Sequence, residues 1–361
     1  MKQENKRTGW IDICKALAIY CMVLGHTGTS QQVSAVIHVF HMPVFFILSG
    51  YCFNEKKNSN ILTFVKKKFL TLIVPYFIFG IALFAFWDAA LLALHRQTEM
   101  RSITNLITSI LWNNANASAF GVIQWFLPCL FFAEIIFAFL LKISKNNIIL
   151  LWGDIILLSI SGYWIPLTLD IRLPWALDCA LMASAFYGLG WIVKKMLILE
   201  KISKLIKKKK VICWFIIVVI AIAMIPSVFY NGEVNMRTVT YGNYFLYIVN
   251  AVIYSFLIIL VSMLLEQMLN HNKGCEVLKW IGRNTLVVLL LNSTCVRVYE
   301  VLFGSLLDKL NETVVFWVNG IVAVIITIAC VLMSEFINKY CPCLIGKKKV
   351  ISCEKGDSNT L

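Results

Sequence analysis

An all-α bundle of about ten membrane-spanning helices, both chain ends on the cytoplasmic face, is the fold predicted by three observations. Hydrophobic residues make up 60% of the 361 and charged residues only 14%, with a mean hydropathy of +0.79. A soluble fold of that composition would lack the polar surface to cover itself. The apolar residues come in stretches of about 20, the length that crosses a bilayer as a helix. The 33 Lys and Arg, against 19 acids, gather in short runs between those stretches, as in KKNSNILTFVKKK and KISKLIKKKK, which is the charge pattern of cytoplasmic loops.

The spans fall near 10–29, 34–53, 69–94, 122–142, 147–165, 176–194, 211–230, 244–267, 284–303 and 313–337. With the N-terminus inside, the inner segments collect 26 Lys/Arg and the outer loops 5, while Lys15 and Arg297 lie within spans. An odd number of spans would scramble this asymmetry. The long outer segment 95–121 carries ITNLITSILW, read as a short helix on the membrane surface, followed by the polar loop NNANAS. The chain thus reads as one membrane domain over 1–345 with a short basic and polar tail over 346–361, so any chemistry belongs to the bundle.

Several function classes drop out. The net charge of +14 is accounted for by inner loops, so nucleic acid is not an expected partner. Most of the 12 cysteines sit inside apolar runs, where a thiol behaves as a small hydrophobe, and no disulfide framework is expected. Cys341-Pro-Cys343 lacks zinc-site spacing and reads as a pair of reduced or lipidated thiols; no metal is predicted. The first apolar run contains Asp12 and Lys15 and no small-residue cleavage site, so it reads as a span and not a signal peptide.

Ionisable groups inside spans are costly and mark cavities, partners or ion paths. WIDICKALAIYCMVLGHTG holds three. At about 100° per residue, Lys15 and His26 return to within about 20° of one direction, with Asp12 about 60° away. They lie roughly 16 Å apart along the axis, a stripe that can line a passage most of the way across the membrane. The plainer reading pairs Asp12 with Lys15 at the membrane edge and leaves His26 as a cap. In VIHVFHMPVFFILSGYCF, His38 and His41 lie near the outer end of the second span, at the depth of His26, and Pro43 removes a backbone donor nearby. His38, Phe45, Ser49 and Cys52 recur on one stripe, where His38 reads as a polar lip.

RTGWIDICKALAIYCMVLGHTG followed by FHMPVFFILSGY resembles acyltransferase family 3, the multispanning membrane O-acyltransferases, and within it the fucose 4-O-acetylase-like branch. Lys15 and His26 meet the family's basic residue, ten positions, histidine pattern; Phe40 to Pro43 and Phe45 to Tyr51 meet its FHMP and FFxxSGY elements. KKKFLTLIVPY, QWFLPCLFFAE, ALDCALMASAFYGLGW and WIGRNTLVVLLLN extend the likeness along the chain. Asn292 stands where many relatives have a histidine.

The resemblance implies transfer of an acyl group, acetyl from acetyl-CoA or another acyl-CoA, to a hydroxyl of a cell-surface carbohydrate or envelope precursor, in a cell membrane such as the bacterial plasma membrane. No permanently bound cofactor is implied; acyl-CoA is the co-substrate and the bilayer the surroundings. His26 is the first choice for general base. Asp12 and Lys15 shape the cytoplasmic mouth or hold the donor, and His41 orients the acceptor or steadies developing charge. Lys66, Lys67, Lys68 and Arg283 are placed for donor phosphates, although inner lysines also serve topology alone. Ser49, Tyr51, Trp125 and Arg297 are the candidates for the acceptor, Arg297 having Glu300 as an alternative partner. The rival class is a small-solute or acyl-donor transporter without transfer chemistry; it would require a counterpart of the reactive groups in the second half, and none is evident.

Overall fold

The computed structural model describes residues 8–93, 125–169, 172–269 and 272–347, with positions 95, 104, 107 and 108. Among them are ten helices long and apolar enough to cross a membrane: α1 (Gly9–His26), α2 (Gln31–Cys52), α3 (Ile61–Ala93), α4 (Phe126–Ile143), α5 (Ile148–Leu169), α6 (Leu177–Lys195), α8 (Lys210–Asn231), α9 (Tyr244–Leu269), α11 (Thr285–Leu307) and α12 (Glu312–Tyr340). Two shorter helices, α7 (Ile198–Lys208) and α10 (Lys273–Arg283), occupy segments expected to be loops. Each has 11 residues, too short to cross, and one buried face, so they lie against the bundle's basic end. The surface helix expected over ITNLITSILW falls, apart from positions 104, 107 and 108, outside the described residues.

Large apolar side chains point outward all round, as with Ile149 and Val211, each 81% exposed. That is the inverse of a soluble fold and suits a lipid-facing surface. Exposed chains crowd α5, α8 and α12, whereas α1, α2 and α6 are largely enclosed. α6 packs on α2, α4 and α5, while α1 packs on α2, α9, α10, α11 and α12. The α1–α2 pair is therefore the seam between two groups of helices, and the groove along it is where cavities open.

Close backbone approach fixes α2 of that pair against α6. A Cβ on Gly190 of α6 would lie 1.9 Å from the Ile47 carbonyl oxygen of α2, and one on Gly50 would lie 1.8 Å from the Tyr187 carbonyl oxygen. Small residues at such crossings let membrane helices touch along their backbones. Gly190→Leu is expected to abolish recovery of monodisperse protein, because two backbones must part. Gly153→Leu, with open space around it, should leave yield and unfolding temperature unchanged; equal behaviour of the two in size-exclusion and thermal unfolding would refute this account.

α3 starts eight residues before the expected span, with the Asn60 side chain accepting from the Thr63 N–H at 3.1 Å. A widened π turn, Phe69–Ile73, follows just before Pro75, whose missing N–H interrupts the regular ladder. Lys66, Lys67 and Lys68 thus sit on a helix and fan out around it instead of sharing a loop.

Candidate active site

At one end of the seam, α1 closes on His26 and the chain reverses through Gly28, whose φ of +74° favours glycine. The turn is pinned from α12, where the Asn319 amide donates to the Gly28 carbonyl at 3.2 Å. The reversal sets His26 against the first turns of α2. Ring centroids lie 6.4 Å apart for His26 and His38 and 5.1 Å for His38 and His41, with near-perpendicular planes. His38 is thus the middle member of a histidine row, not a lip beside a pair.

Two of the three rings have a defined tautomer. Nδ1 of His41 lies 2.8 Å from the Ile37 carbonyl oxygen, and Nδ1 of His38 lies 2.8 Å from that of Ser34. A carbonyl only accepts, so each Nδ1 carries the proton and each neutral ring keeps its lone pair on Nε2; at His38 the Ser34 hydroxyl, 3.1 Å from Nδ1, is a second and longer contact to the same atom. No hydrogen bond to His26 occurs among the described residues. Pro43, between these turns and the rest of α2, lies mid-helix without breaking it.

The three histidines line a small cavity of about 50 Å³ together with Met22, Met42 and Trp125, and with Asn235, Met236 and Arg237 from the α8–α9 loop. Composition gave no hint of this loop. It folds into a tight turn in which Asn235 and Thr240 exchange backbone hydrogen bonds of 2.7 and 3.0 Å. Arg172, just before α6, straps it down: Nε donates to Asp178 Oδ2 at 2.5 Å and Nη2 to the Arg237 carbonyl at 2.8 Å. Cys179 Sγ adds a contact of 3.1 Å to the Met236 carbonyl. Burial pushes the Arg172 guanidinium down, but its bond to Asp178 and the surrounding charge of Cys179, Asp178 and Tyr241 together outweigh this and hold it above the ordinary arginine value. Burial, and then Arg172 nearby, push Arg237 below it. Both arginines lie outside the lysine-rich segments of the chain, and that exception was the available signal in the sequence.

Arg172→Met would leave Asp178, which is fully enclosed, without its cation. Losing one partner of a buried pair costs about 3–5 kcal/mol, so the unfolding temperature should fall markedly, with Arg172→Lys in between. Unchanged thermal unfolding of Arg172→Met would show that the strap carries no load.

At the other end of the seam a wide cavity of about 720 Å³ is lined by Asp12, Lys15, Ser49, Tyr51, Lys67, Lys68, Glu134 and Lys194, among others. Lys68 Nζ lies 2.6 Å from Glu134 Oε1. Tyr51 Oη donates to Glu200 Oε1 at 2.9 Å, and Lys194 Nζ to the Phe53 carbonyl at 2.8 Å. Five lysines, with Lys57 included, face three carboxylates here.

The expected site is therefore split and partly reassigned. Asp12 and Lys15 lie in the lysine cavity, while His26 and His41 lie in the histidine pocket. The stripe of α1 is not an open passage: between its ends Ile19 and Met22, and Phe45 on α2, are buried. Lys67 and Lys68 reach the lysine cavity, but Lys66 is exposed on the far side of α3. Arg283 does not reach it either; its Nε donates to the Lys279 carbonyl at 3.1 Å and it faces Glu276. Of the four acceptor candidates, Trp125 alone joins the histidines. Ser49 and Tyr51 belong to the lysine cavity because they follow His41 by two and more helical turns. Arg297 pairs with Glu300 at 3.3 Å on the exposed side of α11, away from both cavities. Asn292 is buried, with its amide donating to the Val288 and Leu289 carbonyls at 2.9 and 3.0 Å. Glu134 escaped notice because an acid ten residues into an apolar run carries no sign of its partner 66 positions earlier.

Fold and site together define a multi-pass membrane protein whose reactive side chains are enclosed in its own helix bundle. Comparison with known proteins gives the family. The model of the acyltransferase family 3 described as an acyltransferase domain matches residues 8–334, and the chain belongs to that family. No curated protein and no solved structure matches the chain significantly. Membership supports an acyltransferase with an acyl donor and an acceptor, and the match takes in both cavities.

Proposed function

We propose that the protein transfers an acyl group, acetyl from acetyl-CoA, to a hydroxyl of a cell-surface carbohydrate or envelope precursor in a bacterial plasma membrane. The observation that carries this reading is the pairing, along one α1–α2 seam, of a lysine-lined cavity at one end and a three-histidine pocket at the other. The charge asymmetry of the sequence supports a cytoplasmic position for the lysine cavity, where acyl-CoA is made. Lys15, Lys67, Lys68 and Lys194 suit its phosphates, and the carboxylates among them keep the cavity from holding any anion indiscriminately. For the thioester arm to reach the histidines, the side chains of Ile19, Met22 and Phe45, which close the seam between the two cavities, have to move apart.

In the pocket the acceptor oxygen attacks the thioester carbonyl carbon. The C–O bond forms, the C–S bond breaks, and the hydroxyl proton passes to His26, from which the leaving thiolate takes it. Arg237 faces the oxyanion that develops, the position where a fixed cation helps most. His38 and His41, with Nε2 unprotonated, orient the hydroxyl. A transporter without transfer chemistry is not favoured, given the family. Mass spectrometry of envelope glycans from cells with and without the protein tests the proposal: one acyl mass should vanish with it, and an unchanged glycan profile would overturn it.

A further inference from the structure

A cleft of about 670 Å³ adjoins the histidine pocket and shares His38 and Asn235 with it. Its volume falls in the range of about 300–1,000 Å³ typical of ligand sites, whereas the histidine pocket has room for little more than a reacting group. The wall chemistry is distinctive. Thr29, Gln31, Gln32 and Ser34 on the α1–α2 side face Asn235 on the α8–α9 loop. These are hydroxyls and amides that both donate and accept. Phe229 adds a ring that is 47% exposed. Among the described residues, Glu233 is the one carboxylate in the lining, and no lysine or arginine lines the cleft.

One wall group is unfilled. Thr29 Oγ1 is buried and has no hydrogen-bond partner among the described residues, although a hydroxyl shut away from water without a partner carries a desolvation cost. Rotation about χ1 would turn this hydroxyl into the cleft, where a ligand hydroxyl would supply the partner.

We propose that this cleft is the acceptor site and that it takes a neutral glycan about the size of a trisaccharide, with the hydroxyl to be acylated directed past His38 into the histidine pocket. The proposal rests on the transferase reading and gives it a substrate class. Amides and hydroxyls converging from two sides match a polyhydroxylated ligand, and Phe229 offers its face to the apolar side of a sugar ring. An anionic glycan would bring its charge to Glu233 with no cation among the described lining residues to receive it.

The test uses full-length protein in nanodiscs. Saturation-transfer NMR follows contact with the N-acetylglucosamine trisaccharide and, for comparison, with trigalacturonate, while mass spectrometry follows acylation of envelope glycans in cells. The variants are Ala35→Trp, which fills the cleft from its wall, and Gln31→Ala/Gln32→Ala, which removes two exposed amides without entering the core. Wild-type protein should contact the neutral trisaccharide, with trigalacturonate at least about tenfold weaker. Ala35→Trp should lose both contact and acylation, and the double alanine variant should weaken contact by about tenfold, as for two hydrogen bonds. No contact by wild type, equal binding of trigalacturonate, or acylation persisting in Ala35→Trp would overturn the acceptor site and leave the transferase reading standing. Glycan contact without any acyl mass attributable to the protein would overturn the transferase reading and leave the cleft as a glycan site.

Discussion

His26→Ala is expected to reduce acyl transfer from labelled acetyl-CoA to background, a loss of about 10²–10⁴-fold if the imidazole is the base, while insertion and thermal stability stay as in wild type. The second half of that expectation follows from the geometry. His26 is half-buried at the end of α1 and no described residue hydrogen-bonds to it, so its removal leaves no orphaned polar partner. His41→Ala should differ. It removes a buried ring and strips the Ile37 carbonyl of its Nδ1–H bond, so activity should fall together with a stability cost of about 1 kcal/mol or more. Comparing the two variants in unfolding and in transfer separates chemistry from packing. Full transfer by His26→Ala would end its candidacy and pass the role to His38 or His41, whose Nε2 atoms are already available.

How far the sequence reveals this site depends on whether its parts are set by helical period or by tertiary return. The ten spans were legible because lipid dictates their length and apolarity, and the structure reproduces them with ends shifted by a few residues, α3 apart. Lys15 and His26 were legible as one stripe because α1 is a regular helix. The same reasoning stopped short of the packing: Ile19 and Met22 on that stripe fill the space between the ends, which divides one imagined passage into two cavities. Lys66 could not be told from Lys67 and Lys68 while the run was read as a loop, since a loop assigns no faces. Arg237 meets the local Arg172–Asp178 pair only because the α8–α9 loop folds back over the bundle, a contact spanning 65 positions that no local period encodes. Glu134 was passed over because an acid in a span takes its meaning from its partner, here Lys68, which no local pattern points to.

That pair leads to the second large expected effect, which is asymmetric. Glu134 is 3% exposed and Lys68 26%, so the two halves are not equally able to stand alone. Lys68→Met strands a carboxylate in the bundle wall and should cost about 3–5 kcal/mol, as for breaking a buried pair. Glu134→Gln leaves an ammonium that can turn toward water in the cavity, and should cost nearer about 1 kcal/mol. The double variant Lys68→Met/Glu134→Gln should recover most of the loss, because no buried charge is left unpaired. The donor supplies an independent readout. The cavity's five lysines and three carboxylates keep their charge difference in the double variant, whereas Glu134→Gln alone raises it by one and releases Lys68. Coenzyme A should therefore bind Glu134→Gln more tightly than wild type, and with steeper salt dependence, bind Lys68→Met more weakly, and bind the double variant close to wild type. Titrating coenzyme A into the three purified variants at two ionic strengths decides the matter. If the double variant loses donor binding as fully as Lys68→Met, Lys68 touches the phosphates itself; if none of the three alters binding, the lysine cavity is not the donor's.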